Sequence, residues 1–181
     1  VIAKISNPSN GAVTTSGPTD TATANILSNE TATAALSVTT QGNEAGMVSA
    51  VYTVTLSTTN NSGSAITFDL NDLKTGTATS GTDYTAFGGA AAISVANGAT
   101  TGTLSVAVTD DAFLEPTETV IAKISNPSNA AVTIPVTADT ATASILNDDT
   151  ATAALSVTTN GNEAGPVNVV YTVTLSSVNN S

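Results

Sequence analysis

The 181-residue chain has no cysteine, no histidine and no tryptophan, and only three basic residues stand against 14 acidic ones. Without His or Cys, neither Ser-His-Asp nor Cys-His catalysis is available. Thiolate chemistry and zinc sites built on nitrogen or sulfur are excluded as well. Three lysines cannot form the basic stripe a nucleic-acid binder needs. Charged residues make up 9% of the chain, against roughly 25% in ordinary domains, so the formal charge of -11 comes more from missing bases than from many acids. No apolar run reaches the length of a membrane span, and the chain opens at Val1 with no signal-like segment. It therefore reads as an excerpt of something longer.

What the chain does have is threonine, at roughly a fifth of positions, with Ala, Ser, Val, Asn and Gly. Such β-branched usage favours strands. Aromatics are only 3%, so Val, Ile, Leu and Ala are expected to build the core. Those side chains bury less surface than aromatic ones, and a further source of stability is expected.

Self-similarity organises the chain. Val1-Ile2-Ala3-Lys4-Ile5-Ser6-Asn7-Pro8-Ser9-Asn10 recurs from Val120 to Asn129, 119 residues on. The match runs ungapped from Val1–Ser62 onto Val120–Ser181, with roughly three positions in four identical. The phrase Thr-Ala-Thr-Ala-Ala-Leu-Ser-Val opens at both Thr31 and Thr150. This phase predicts the C-terminal strands of a preceding repeat over 1–30, one complete domain over 31–149, and the N-terminal strands of a following repeat over 150–181. A unit of 119 residues fits one β-sandwich, since solenoid repeats run about 20–50 residues.

Within the unit, apolar residues alternate at period two: Ala50, Tyr52, Val54 and Leu56; Ile66, Phe68 and Leu70; Leu104, Val106 and Val108; Val120, Ala122 and Ile124; Ala141, Ala143 and Ile145. Turn sequences such as Gln41-Gly42-Asn43, Asn97-Gly98 and Asn126-Pro127-Ser128-Asn129 separate these runs. No helical period is sustained. The reading is an all-β antiparallel sandwich in tandem repeat.

Eight of the 14 acids fall in four places of the complete unit: Glu44; Asp83; Asp110, Asp111, Glu115 and Glu118; and Asp148 with Asp149. Loops at alternate connections of a sandwich gather at one end, so these carboxylates can share it. Lys123 is the one base near any of them in sequence. Two like charges 4 Å apart repel by about 4 kcal/mol at an effective dielectric of 20, and a divalent cation reverses that sign. Calcium takes 6–8 oxygens, including mono- and bidentate carboxylates, and this inventory suffices for more than one ion.

Three ordered motifs then resemble the Calx-β domain: Thr77-Ala78-Thr79-Ser80-Gly81-Thr82-Asp83-Tyr84-Thr85; Asp110-Asp111 followed by Glu115-Pro116-Thr117-Glu118-Thr119; and Ile145-Leu146-Asn147-Asp148-Asp149. That family occurs in sodium–calcium exchangers, in an integrin and in large bacterial surface proteins and adhesins. The resemblance implies an immunoglobulin-like sandwich holding calcium ions at one end. It implies ligand roles for Glu44, Asp83, Asp110, Asp111, Glu115, Glu118, Asp148 and Asp149, with the Phe113 carbonyl as a backbone ligand. Ala112 and Asn147 stand where strongly binding members often carry a third consecutive Asp, which implies fewer or weaker ions. At the earlier junction Ser28-Asn29-Glu30 replaces Asn147-Asp148-Asp149, leaving one acid for two.

An acid/base pair at Glu115 and Glu118 is disfavoured, because no aromatic platform for a sugar is present and nothing holds one carboxyl protonated; no enzyme activity is expected. Asp20, Asp69, Asp72, Asp139 and Lys4 read as exposed. The Thr-rich runs read as ordinary strand surface rather than an ice- or polymer-binding ladder. Asn29-Glu30-Thr31, Asn60-Asn61-Ser62 and Asn179-Asn180-Ser181 fit the N-glycan acceptor pattern. The expectation is a calcium-rigidified extender repeat of a long secreted or surface-attached bacterial protein, an adhesin, whose partners are neighbouring repeats, with no nucleic acid and no membrane insertion. The alternative is a subunit of a self-assembling extracellular fibre, in which 1–30 and 150–181 complete each other between chains.

Overall fold

The computed structural model describes residues 1–15, 17, 19–25 and 29–179. Ser28 of the earlier junction and Asn180-Ser181 of the third acceptor pattern lie outside the described residues. The chain divides into two units, 1–31 and 32–181. The first holds one antiparallel pair, β1 (Ile2–Lys4) and β2 (Thr21–Thr23), with Ile2 opposite Thr23 and Lys4 opposite Thr21.

The second unit contains a two-sheet sandwich. Its strands are β3 (Ala32–Thr40), β4 (Gly42–Asn43), β5 (Ala50–Leu56), β6 (Ile66–Asp72), β7 (Ala92–Val95), β8 (Thr101–Val106), β9 (Glu118–Ser125), β10 (Val132–Thr133) and β11 (Thr140–Leu146). One sheet has the order β10-β3-β5-β8, the other β4-β11-β9-β6-β7. A final hairpin, β12 (Ala153–Thr159) with β13 (Val170–Leu175), forms a sheet of its own.

The period-two residues meet between the sheets. Leu36, Tyr52, Val54 and Val106 of one face Phe68, Leu70, Val120, Ile124 and Ile145 of the other, all buried. Full burial of each such side chain contributes roughly 1.5–3 kcal/mol. Four of the six aromatics belong to the core or pack against it, contrary to the expectation of an aliphatic core. Tyr52, Phe68 and Tyr84 are among the largest fully buried side chains, and Phe87 lies 6.0 Å from both tyrosine rings in tilted contact. The Tyr52 hydroxyl donates to the Val120 carbonyl at 2.8 Å, tying the two sheets together.

Two pairings depart from pure antiparallel order. β10 runs parallel to β3, and β4 runs parallel to β11 with Gly42 beside Ile145 and Asn43 beside Leu146. A Cβ on Gly42 would lie 2.8 Å from the Val108 side chain and 3.2 Å from that of Ile145, so only glycine lets β4 come this close. Both parallel strands are two residues long, too short to register as alternation.

Several acids expected on the surface are engaged. Asp139 is buried and pairs with Lys123 at 2.9 Å; Asp20 is buried and pairs with Lys4 at 3.3 Å. Half-buried Asp72 accepts from the Tyr84 hydroxyl at 2.7 Å, and half-buried Asp69 accepts from the Asn126 amide at 2.7 Å. Partners across strands, far apart in sequence, draw these carboxylates inward. Asn60 is also buried: its amide donates to the Ser64 and Val95 carbonyls, and its carbonyl accepts from Ser62. The folded domain therefore offers no glycan acceptor there.

Candidate metal centre

The parallel pairing of β4 with β11 decides where Glu44 goes. Its backbone N–H donates to the Leu146 carbonyl at 3.0 Å, which sets it alongside the strand exit that carries Asp148 and Asp149. Asn43 accepts from the Ala45 N–H at 2.9 Å, and Gly46 and Met47 turn the chain through positive φ. One carboxylate oxygen from each of Glu44, Asp148 and Asp149 lies within 4.8 Å of the others.

A second triad forms next to it. Gly81, at φ 90°, closes a turn in which the Asp83 N–H donates to the Thr79 carbonyl at 3.0 Å and the Asp83 carboxylate accepts from the Thr79 N–H. Thr77 and Thr119 exchange backbone and hydroxyl hydrogen bonds, fastening this loop to the start of β9, where Glu118 stands. One carboxylate oxygen from each of Asp83, Glu115 and Glu118 then lies within 4.8 Å of the others. Glu44 and Asp83 are buried at 3% and 4% exposure.

The charges register one another across both triads. Burial pushes the Glu44 carboxyl up to about 7, helped by repulsion from Asp111, Glu115, Asp149 and Asp148. Glu118 is also pushed up to about 7, by burial first, then by a hydrogen bond with Asp83 and repulsion from Asp83, Glu115 and Glu44. Glu115 and Asp149 are raised too, both by burial first and then by neighbouring carboxylates. Glu44 Oε2 and Asp149 Oδ2 are buried with no hydrogen-bond partner. Buried orphan acceptors are costly, and a cation is what satisfies an oxygen surrounded by other carboxylates. An all-oxygen donor set suits a hard ion such as calcium.

Asp110 and Asp111 join neither triad but sit at its border: Asp111 acts electrostatically on Glu44, Glu115 and Asp149, and Asp110 on Asp149. Asp111 Oδ1 accepts the Phe113 N–H at 2.8 Å. The Phe113 carbonyl accepts from Asn147 Nδ2 at 2.8 Å, which leaves one lone pair of that carbonyl for an ion. Asn147 Oδ1 in turn accepts the Asp149 N–H at 2.7 Å. Asn147 thus ties the 110–118 segment to the strand exit, a role invisible in sequence because its partner lies 34 positions away. Lys123 is engaged with Asp139 and is absent from the charge neighbours of Glu44, Glu115, Glu118 and Asp149.

Residues 29–149 match the model of the Calx-beta domain family. Among solved structures, the crystal structure of CBD12 from CALX1.2 is similar at TM-score 0.50 and 23% identity, over 64% of this chain and 44% of that one. The calcium binding domain CBD12 of CALX1.1 follows at TM-score 0.47 and 23% identity, over 63% and 44% of the two chains. The apo form of the Calx CBD1 domain gives TM-score 0.46 and 20% identity, over 66% of this chain and all of that one. The chain therefore spans less than half of the CBD12 structures it matches. No curated protein matches the chain.

Proposed function

Because the chain belongs to the Calx-beta domain family, we propose that residues 31–149 form a calcium-binding structural repeat, an extender in the stalk of a long secreted or cell-surface adhesin. The observation that carries the calcium reading is the buried, unpartnered Glu44 Oε2 and Asp149 Oδ2 among converging carboxylates. Eight acids in one place destabilise the metal-free domain, and bound ions turn the same charges into ligands.

The stalk reading draws on the sequence repeat and on where the acids lie. Asp149 closes the domain, and a depression beside it is lined by Leu114, Glu115 and Pro116 together with Ala151, Leu175 and Asn179 of the segment that follows. Ions held by Glu115 and Asp149 stiffen this junction. The role is mechanical spacing, and no substrate is involved. Titration of the chelated chain with calcium should release heat and raise the melting temperature, and scattering from a multi-repeat chain should show a stiffer rod with calcium than with chelator. Melting curves indifferent to both additions would sink the calcium reading. Scattering profiles indifferent to calcium, with binding intact, would sink only the stalk.

A further inference from the structure

The two carboxylate triads differ in what they join. Asp83, Glu115 and Glu118 belong to interior parts of the domain, whereas Glu44 directly follows β4 and Asp148 and Asp149 stand just past the end of β11. Glu44 and Asp148 are 104 positions apart in sequence. They meet because β4 runs parallel to β11, held by the Glu44 N–H on the Leu146 carbonyl at 3.0 Å and the Ser144 N–H on Gln41 Oε1 at 2.6 Å. Parallel strands reach one end together. The chain, which runs through β3 into β4, therefore enters the sandwich at the end opposite the one where it leaves β11. Tension along the chain slides β4 lengthwise against β11 and loads both of these bonds at once.

We propose that the Glu44–Asp148–Asp149 triad is a mechanical clasp: a calcium ion shared by these carboxylates carries tension from the first strands of the domain to its exit, past the sandwich between them. The clasp rests on the calcium reading above and adds to it the direction in which the ion works. Glu44 is 3% exposed and its Oε2 has no hydrogen-bond partner, nor has Asp149 Oδ2, so an ion between them supplies the bond that each lacks. That ion closes a loop of 104 positions, and cross-links that close long loops restrain the unfolded chain most. Without it, the direct link from β4 to β11 is a two-residue strand and one side-chain amide.

Because the 181-residue chain has no cysteine, thiol-linked DNA handles can load it along chosen axes in an optical trap. Handles at the exposed positions Thr31→Cys and Thr152→Cys place the ion between them. Handles at the exposed positions Thr58→Cys and Thr100→Cys lie within the closed loop, at the ends of β5 and β8 remote from the Ala50–Val106 pair that precedes the acids, so tension between them never crosses the ion. At constant force, saturating calcium should lengthen the folded lifetime at least about tenfold over chelator on the first axis, and should leave it within about twofold on the second, where the domain opens with the ion still bound. Glu44→Gln should cancel the gain on the first axis. Melting curves of both Cys pairs, with calcium and with chelator, are recorded alongside. If calcium raises the melting temperature but lengthens the lifetime equally on both axes, or on neither, the clasp is overturned and the calcium reading stands. If calcium moves neither melting nor lifetime, both fall together.

Discussion

The hairpins β3–β5 and β12–β13 show nearly the same sequence in two surroundings. Leu36 faces Val54 and Val38 faces Tyr52; Leu155 faces Val173 and Val157 faces Tyr171, with the same irregularity one residue further on. Even the side-chain bonds repeat. Thr33 N–H donates to Ser57 Oγ at 2.9 Å and Thr152 N–H to Ser176 Oγ at 2.9 Å; the Thr39–Thr53 hydroxyl pair at 2.9 Å returns as Thr158–Thr172 at 3.0 Å. Yet every residue of β3–β5 that lines the core has a solvent-exposed partner in β12–β13. Turn chemistry and cross-strand pairs fix register locally. Burial, and most of the stabilisation, comes from the sheet laid on top.

The comparison breaks most sharply at its largest side chain. Tyr52→Ala removes a fully buried ring and its bond to the Val120 carbonyl, and should cost ~4 kcal/mol in urea unfolding. Tyr171→Ala, the same change in the same register, should leave that transition within about 0.5 kcal/mol. Equal losses at both sites would mean that β13 is covered in solution.

The second test sets Glu44 against Glu163. Folding raises the Glu44 and Glu118 carboxyls from 4.5 to about 7, so between those values the metal-free folded state holds more protons than the unfolded one. Its stability is therefore fully present below about 4.5 and falls as pH rises toward 7. For Glu44 the loss is at most ~3 kcal/mol. The chelated domain should melt at higher temperature at pH 5 than at pH 7.5, and saturating calcium should remove or invert that slope. Glu44→Gln should flatten the metal-free profile and abolish most of the calcium-induced gain in melting temperature. Glu163→Gln, on an exposed turn, should change neither.

Much of this was legible beforehand, and the misses share a cause. Period-two runs placed Phe68, Val120 and Ile145 on core faces because alternation is a local property of one strand. The 119-residue repeat and the spacing of the acids likewise needed only the sequence. What escaped depends on which strands become neighbours. The parallel β4–β11 contact that brings Glu44 to Asp148 rests on two residues and one glycine. Asn147 read as a weakened ligand position and is also a strut to Phe113. Thr53 sits on the outward face of β5 and is buried all the same, between Ser37 and Thr103 on the neighbouring strands.

The smallest expected effect comes from the ion pair that both copies share. Asp139 meets Lys123 at 2.9 Å and Asp20 meets Lys4 at 3.3 Å, each with a buried carboxylate and an exposed ammonium. Each Asp carbonyl also accepts an N–H from the following segment of its partner strand, Ile124 or Ile5, at 2.8 Å. The local geometry is nearly the same, so any difference in energy belongs to the frame around it. Asp139→Asn should cost the two-sheet sandwich about 1 kcal/mol, because its lysine loses a partner on a strand that buries Ala122 and Ile124. Asp20→Asn should leave the main unfolding transition where it is, because β1 and β2 belong to the other unit. Raising the salt concentration should erase part of the Asp139 effect, since its lysine is open to solvent. If Asp20→Asn instead lowers the main transition as much as Asp139→Asn does, the two copies of this strand pair share one cooperative fold, and the contrast between covered and uncovered repeats fails at its N-terminal end.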